Sequence, residues 1–153
     1  MPNDFRGLPL HPLIVHATVV IVPLAALTVL LAALWPRFRG WAGPLPAGLS
    51  LVGLILVPLS TSTGETLERH VPHSALLERH THLADGLLPW MIGLLAVAVV
   101  GYALHRRPTS ISRAVPIVVA VLTVVAVVGT TVQVVRIGES GAKAAWAGTD
   151  MTR

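Results

Sequence analysis

GLPLHPLIVHATVVIVPLAALTVLLAALWP, residues 7–36, contains no Asp, Glu, Lys or Arg over its 30 positions. A helix rises about 1.5 Å per residue, so about 20 mostly apolar residues cross the ~30 Å hydrocarbon core of a bilayer. The stretch is long enough to do so. Its run LAALTVLLAAL, residues 24–34, lacks the period of two that a membrane β-barrel strand shows. No other lipid-exposed backbone satisfies its own hydrogen bonds, so a membrane-spanning helix is expected. It is too long for a signal peptide and follows a single arginine, Arg6, so it reads as a retained span.

Three more charge gaps follow. They run 25 residues between Arg39 and Glu65, 20 between Asp85 and Arg106, and 22 between Arg113 and Arg136. The predicted spans are residues 10–35, 45–63, 83–104 and 114–135. The expected architecture is all-α: an integral membrane four-helix bundle with short connecting loops, one four-span domain over residues 1–153. A short polar tail, 136–153, ends it, and Gly138 and Gly141 suit a tight turn there. Pro12 falls in the opening turn of the first span, where a missing N–H costs little. Pro23, Pro58, Pro89 and Pro116 fall inside spans as candidate kinks.

Composition agrees. Of 153 residues 54% are hydrophobic and 12% charged, where a soluble domain has about a quarter charged. Mean hydropathy is +0.75. The net charge of +4 comes from basic residues in short loops between apolar blocks, which reads as membrane orientation and argues against a nucleic-acid partner. The partner it implies is the lipid bilayer. There is no cysteine, which removes disulfides, thiolate metal sites and covalent haem attachment.

Orientation follows from the arginines. Arg37 and Arg39 follow the first span; Arg106, Arg107 and Arg113 follow the third; neither loop holds an acid. By the positive-inside rule that side is cytoplasmic, and both termini and the loop 64–82 face outward. Trp35, Trp41 and Trp90 suit an interfacial belt. Gly86, Gly93, Ala96 and Ala103 fall within an arc of roughly 100° on the third span. That stripe reads either as a close-packing face or as the ordinary small-residue content of membrane helices.

Six of seven histidines, His11, His16, His70, His73, His80 and His82, fall on the outward side; His105 flanks Arg106 on the other. Ser60, Thr61, Ser62, Thr63, Asp85, Gln133 and Arg136 join them, so four helices deliver polar groups to one end of the bundle. Ionisable groups near hydrocarbon are costly, and a convergent set points to a site. Three readings stay open. The histidines could be interfacial residues bonded to loops, caps and headgroups. They could be axial ligands of a b-type haem, with Arg136 paired to a propionate. Or they could hold a divalent metal, through His16, His80 and His82 or through the 70–82 loop with Glu78. No H-E-x-x-H, G-x-S-x-G or P-loop occurs, and a dyad of Ser62 or Ser74 with a nearby histidine is weak, so the chain is not expected to be an enzyme on its own.

His11-Pro12-Leu13-Ile14-Val15-His16 resembles the opening of a bacterial family of small four-helix membrane proteins of unknown function. Ser62-Thr63-Gly64-Glu65, His80-Thr81-His82-Leu83-Ala84-Asp85 with Gly86-Leu87-Leu88-Pro89-Trp90, and Gly138-Glu139-Ser140-Gly141-Ala142-Lys143 with Trp146 are similar to further family stretches. The resemblance implies a multi-pass protein of the bacterial cytoplasmic membrane, with His11, His16, His80 and Asp85 as functional positions. His82 is the more variable position of its motif, and the family often carries a histidine where this chain has Glu139. Joining of some members to Rieske iron–sulfur domains implies electron transfer.

Together these readings give a leading expectation of a haem b or other His-ligated redox site at the outer end. It would use His16 and His80, then His11, with Asp85 and Arg136 beside them. Other membrane redox proteins or a second copy of the chain would be its partners. The alternative is a non-catalytic accessory subunit of a larger membrane complex.

Overall fold

A computed structural model of the chain describes residues 4–5, 8–69, 71–106, 112 and 114–146. His70, Arg107 and Arg113, invoked above, lie outside the described residues, as does 147–153. The elements are β1 (Asp4–Phe5), β2 (Leu8–Pro9), α1 (Leu10–Leu34), α2 (Pro36–Ala42), α3 (Leu45–Glu68), α4 (Ala75–Asp85), α5 (Leu87–Arg106) and α6 (Ala114–Ala145). Apart from an antiparallel ribbon of two residues per strand, the fold is all-α. Four helical stretches are long and apolar enough to cross a membrane: Leu10–Leu34, Leu45–Glu68, Ala75–Arg106 and Ala114–Ala145.

The spans form a ring in which α1 packs on α3, α3 on α5, α5 on α6, and α6 back on α1. Each helix turns one seam inward at spacings of three and four: Val22, Ala25, Ala26 and Val29; Pro46, Ser50, Gly53 and Val57; Leu87, Met91, Leu94 and Ala98; Thr123, Ala126, Val127 and Thr130. That is the repeat of knobs-into-holes packing. Small residues recur in the seams because, with lipid as apolar as leucine, close backbone approach and dispersion hold the helices together. Ser50 and Thr123 sit there without cost, since their hydroxyls donate to the carbonyls of Pro46 and Val119 on their own helices. The outer faces carry exposed apolar side chains such as Val20, Ile55, Ile92 and Val121.

Three expectations are corrected. The small-residue stripe of the third span is not a continuous packing face: Gln133 Nε2 lies 2.8 Å from where a Cβ on Gly86 would stand, but a Cβ at Gly93 would meet nothing within 4 Å, Ala96 is exposed, and the buried face is Leu87, Met91, Leu94 and Ala98. Other close approaches lie off the stripe, with the Trp90 ring lying directly on Gly129 and the Met91 methyl 2.7 Å from where a Cβ on Gly53 would stand. Nor does the chain turn at Gly138 or Gly141, because α6 runs unbroken through both to Ala145. Finally, the loop 64–82 is largely helical, with α3 reaching Glu68 and α4 starting at Ala75. Ser74 caps α4, its hydroxyl accepting from the Leu77 N–H at 3.2 Å.

The third span is broken for a stated reason. Pro89 has no N–H to give the carbonyl of Asp85, and its ring clashes with that carbonyl in a straight helix. The chain breaks at Gly86, and α5 restarts with Pro89 in its first turn, where no N–H is needed. Gln133, buried on α6, donates its amide N–H to the Leu83 carbonyl beside the break.

Candidate functional site

His11 stands in the first turn of α1, half-buried against the far end of α3. Its Nδ1 lies 3.2 Å from the Ser60 carbonyl and 3.2 Å from Thr63 Oγ1. A carbonyl only accepts, so Nδ1 carries the hydrogen. Thr63 spends its own hydrogen on the Leu59 or Ser60 carbonyl, at 2.9 and 3.1 Å, and so also accepts. The lone pair of His11 is therefore on Nε2.

His80 repeats the arrangement on another pair of helices. It is half-buried at the middle of α4, and its Nδ1 is 3.0 Å from Ser140 Oγ on α6. Ser140 Oγ also lies 2.9 Å from the Ile137 carbonyl of its own helix, and with its hydrogen given there Ser140 accepts from His80 Nδ1. That arrangement leaves the lone pair of His80 on Nε2. Among the described residues neither Nε2 has a hydrogen-bond partner. Each ring also rests on a glycine: a Cβ at Gly64 would lie 3.0 Å from His11 Cε1, and one at Gly141 3.0 Å from His80 Cε1.

The other sequence candidates fall differently. His16 is exposed, and its Nδ1 donates to the Pro12 carbonyl of its own helix at 2.6 Å. Its five-residue offset from His11 turns it about 140° away, toward the outside of the bundle. His82, two residues from His80, is exposed on the other side of α4, and His73 is exposed in the preceding loop. The trio His16, His80 and His82 is thus not gathered: among the described residues no three His, Asp or Glu side chains are placed to hold a metal ion. Asp85 is exposed at the last position of α4. Arg136 is exposed on α6, four residues and hence about 40° from Ser140, and borders a groove with Trp90 and Gln133.

Sequence reasoning named His11, His80, Ser60, Thr63 and Gln133 as members of this end but missed Ser140, Gly64 and Gly141 as seats of the rings. The signal for Ser140 was present: Thr130, Gln133, Ile137 and Ser140 continue the inward seam of α6 at spacings of three and four.

Residues 7–150 match the family described as "Predicted membrane protein (DUF2231)". No curated protein and no solved structure matches the chain.

Proposed function

The chain belongs to the DUF2231 family of predicted membrane proteins, and on that premise we propose that its histidine end binds a redox cofactor between two imidazoles, namely b-type haem. The reading rests on one observation. His11 and His80, from different helices, both engage Nδ1, His11 as donor to the Ser60 carbonyl and His80 with Ser140, whose own hydrogen can go to Ile137, and both leave Nε2 without a partner among the described residues. That is the tautomer a metal-ligating imidazole needs, with the second nitrogen fixing ring orientation and raising ligand basicity. The donor set fits haem iron, which takes two axial imidazoles and needs no cysteine.

In this reading His11 and His80 are the ligands, replacing the His16 and His80 pair. Ser60 and Thr63 orient the first ring and Ser140 the second. Gly64 and Gly141 let each ring come close to a neighbouring helix, Cε1 first. Arg136, one turn from Ser140, pairs with a propionate. Bound haem supplies one-electron transfer. The chain then acts as a carrier between other membrane redox proteins, with no enzymatic turnover of its own. The arginine-rich end faces the cytoplasm and the haem end the opposite side.

The test is the reduced-minus-oxidised spectrum of the purified full chain expressed with haem supply. A b-type spectrum is expected, abolished by His11→Ala and by His80→Ala and kept by His16→Ala. A folded protein with no Soret band, or a spectrum lost with His16 alone, overturns the reading.

A further inference from the structure

At the opposite end of the bundle a cavity of about 390 Å³ opens between the end of α1, α2, the start of α3, the end of α5 and the start of α6. That volume lies in the range of pockets that take a small organic ligand. Val29, Ala98 and Ala120 give it apolar walls, and Arg39, Tyr102 and His105 bring polar groups to it.

Arg39 is the unusual member. It sits on α2, half-buried, with Nη2 3.5 Å from the Ala33 carbonyl, a long contact. Its Nε is fully buried and has no hydrogen-bond partner among the described residues. No acid is available to it from the neighbouring sequence. The chain contains no Asp or Glu between Asp4 and Glu65, nor between Asp85 and Glu139, so both connections at this end are basic or neutral. A buried guanidinium donor left unpaired is expensive, and the half-buried side chain that carries it lines the cavity.

We infer that this cavity binds one anionic phospholipid, its phosphate on Arg39 and the start of an acyl chain between α1, α5 and α6. Charge and shape select this occupant. A guanidinium without a carboxylate calls for an external oxyanion, and the fork of Arg suits phosphate. Apolar walls offer nothing to a free inorganic ion, whereas a lipid brings both parts and reaches the site from the bilayer around the helices. Basic pockets between membrane helices recognise acidic headgroups by this chemistry. The inference does not depend on the haem reading, because the two sites lie at opposite ends of the bundle.

The experiment is native mass spectrometry of the full chain in non-ionic detergent, with equal amounts of phosphatidylglycerol and phosphatidylcholine. One phosphatidylglycerol should be retained per chain, favoured about tenfold or more, the scale of one charge-assisted contact. Arg39→Gln should abolish the preference, while Arg37→Gln, at an exposed position of the same helix, should leave it. Gly101→Leu tests the tail separately: Gly101 lines the cavity and its Cβ position meets nothing within 4 Å, so leucine fills the space without a clash at its root. Retention should drop about tenfold or more, with helicity and melting temperature kept. A parallel thermal-shift series should show stabilisation by phosphatidylglycerol and none by inorganic phosphate. Equal retention of phosphatidylcholine, an unchanged preference in Arg39→Gln, undiminished binding in Gly101→Leu, or stabilisation by phosphate alone each overturns the inference.

Discussion

An imidazole that gives its Nδ1 hydrogen to a fixed acceptor has one lone pair left to offer, and the acceptor decides where that lone pair points. At His80 the one partner of Nδ1 among the described residues is Ser140; at His11 the Ser60 carbonyl shares the role with Thr63. Removing Ser140 should therefore matter more than removing the Thr63 hydroxyl. Ser140→Ala is expected to lower haem occupancy by roughly ten- to a hundredfold, the usual cost of losing a group that orients a ligand. Thr63→Val should be near neutral, because the backbone carbonyl stays. The Soret-to-protein absorbance ratio across a haem titration reads both, and equal losses would sink the argument. Glycines make a second residue-scale contrast. A Cβ on Gly129 would stand inside the Trp90 ring, while one on Gly53 would crowd the Met91 methyl tip and otherwise make ordinary contacts with Val22 and Ile21. Gly129→Ala should cost about 1–3 kcal/mol by forcing a bulky ring out of place, and Gly53→Ala much less, since methionine adapts. Melting temperatures in detergent check the order. The sequence alone already put His11, His16 and His80 at one end of the bundle. Which side of α1 faces the bundle was not legible there, and His16 was favoured over His11.

Elements end where backbone chemistry ends them, not where charges begin. The sequence places the end of the fourth span at Arg136 because charges resume, yet α6 runs on to Ala145. At 32 residues it is about 48 Å long, well beyond the ~30 Å core, and the excess is what carries Ser140 and Gly141 to His80. Helix α4, with no fully buried residue of its own, packs mainly on α6. Gln133 secures the junction by answering the Leu83 carbonyl where Pro89 breaks the helix. Gln133→Leu should destabilise the protein by about 1–3 kcal/mol, since it leaves that carbonyl unanswered. Thermal unfolding followed by circular dichroism measures the effect, and an unchanged midpoint would mean the break does not need the amide.

For the whole molecule, the apolar exterior and the four long apolar helices suit a bilayer around them, and the arginine asymmetry predicts a direction of insertion. The absence of cysteine makes that direction measurable, because every introduced thiol is the only one. A membrane-impermeant maleimide should label Ser74→Cys in intact cells and Ser112→Cys only after lysis. The reverse pattern would invert the orientation and move the histidine end to the cytoplasm.

Length of apolar runs, charge gaps and the clustering of histidines are properties of the chain in order, and from them the number of spans, the helical class and the polar end were readable. Their physical basis is the bilayer, which punishes charge and unpaired backbone so heavily that one dimension of sequence suffices. Facing was not readable. In lipid both sides of a helix are apolar, so hydrophobic pattern no longer marks the inner side, and only packing of α1 on α3 and of α4 on α6 chose His11 and His80 over His16 and His82. The same packing left Arg39 over a cavity with its Nε unanswered.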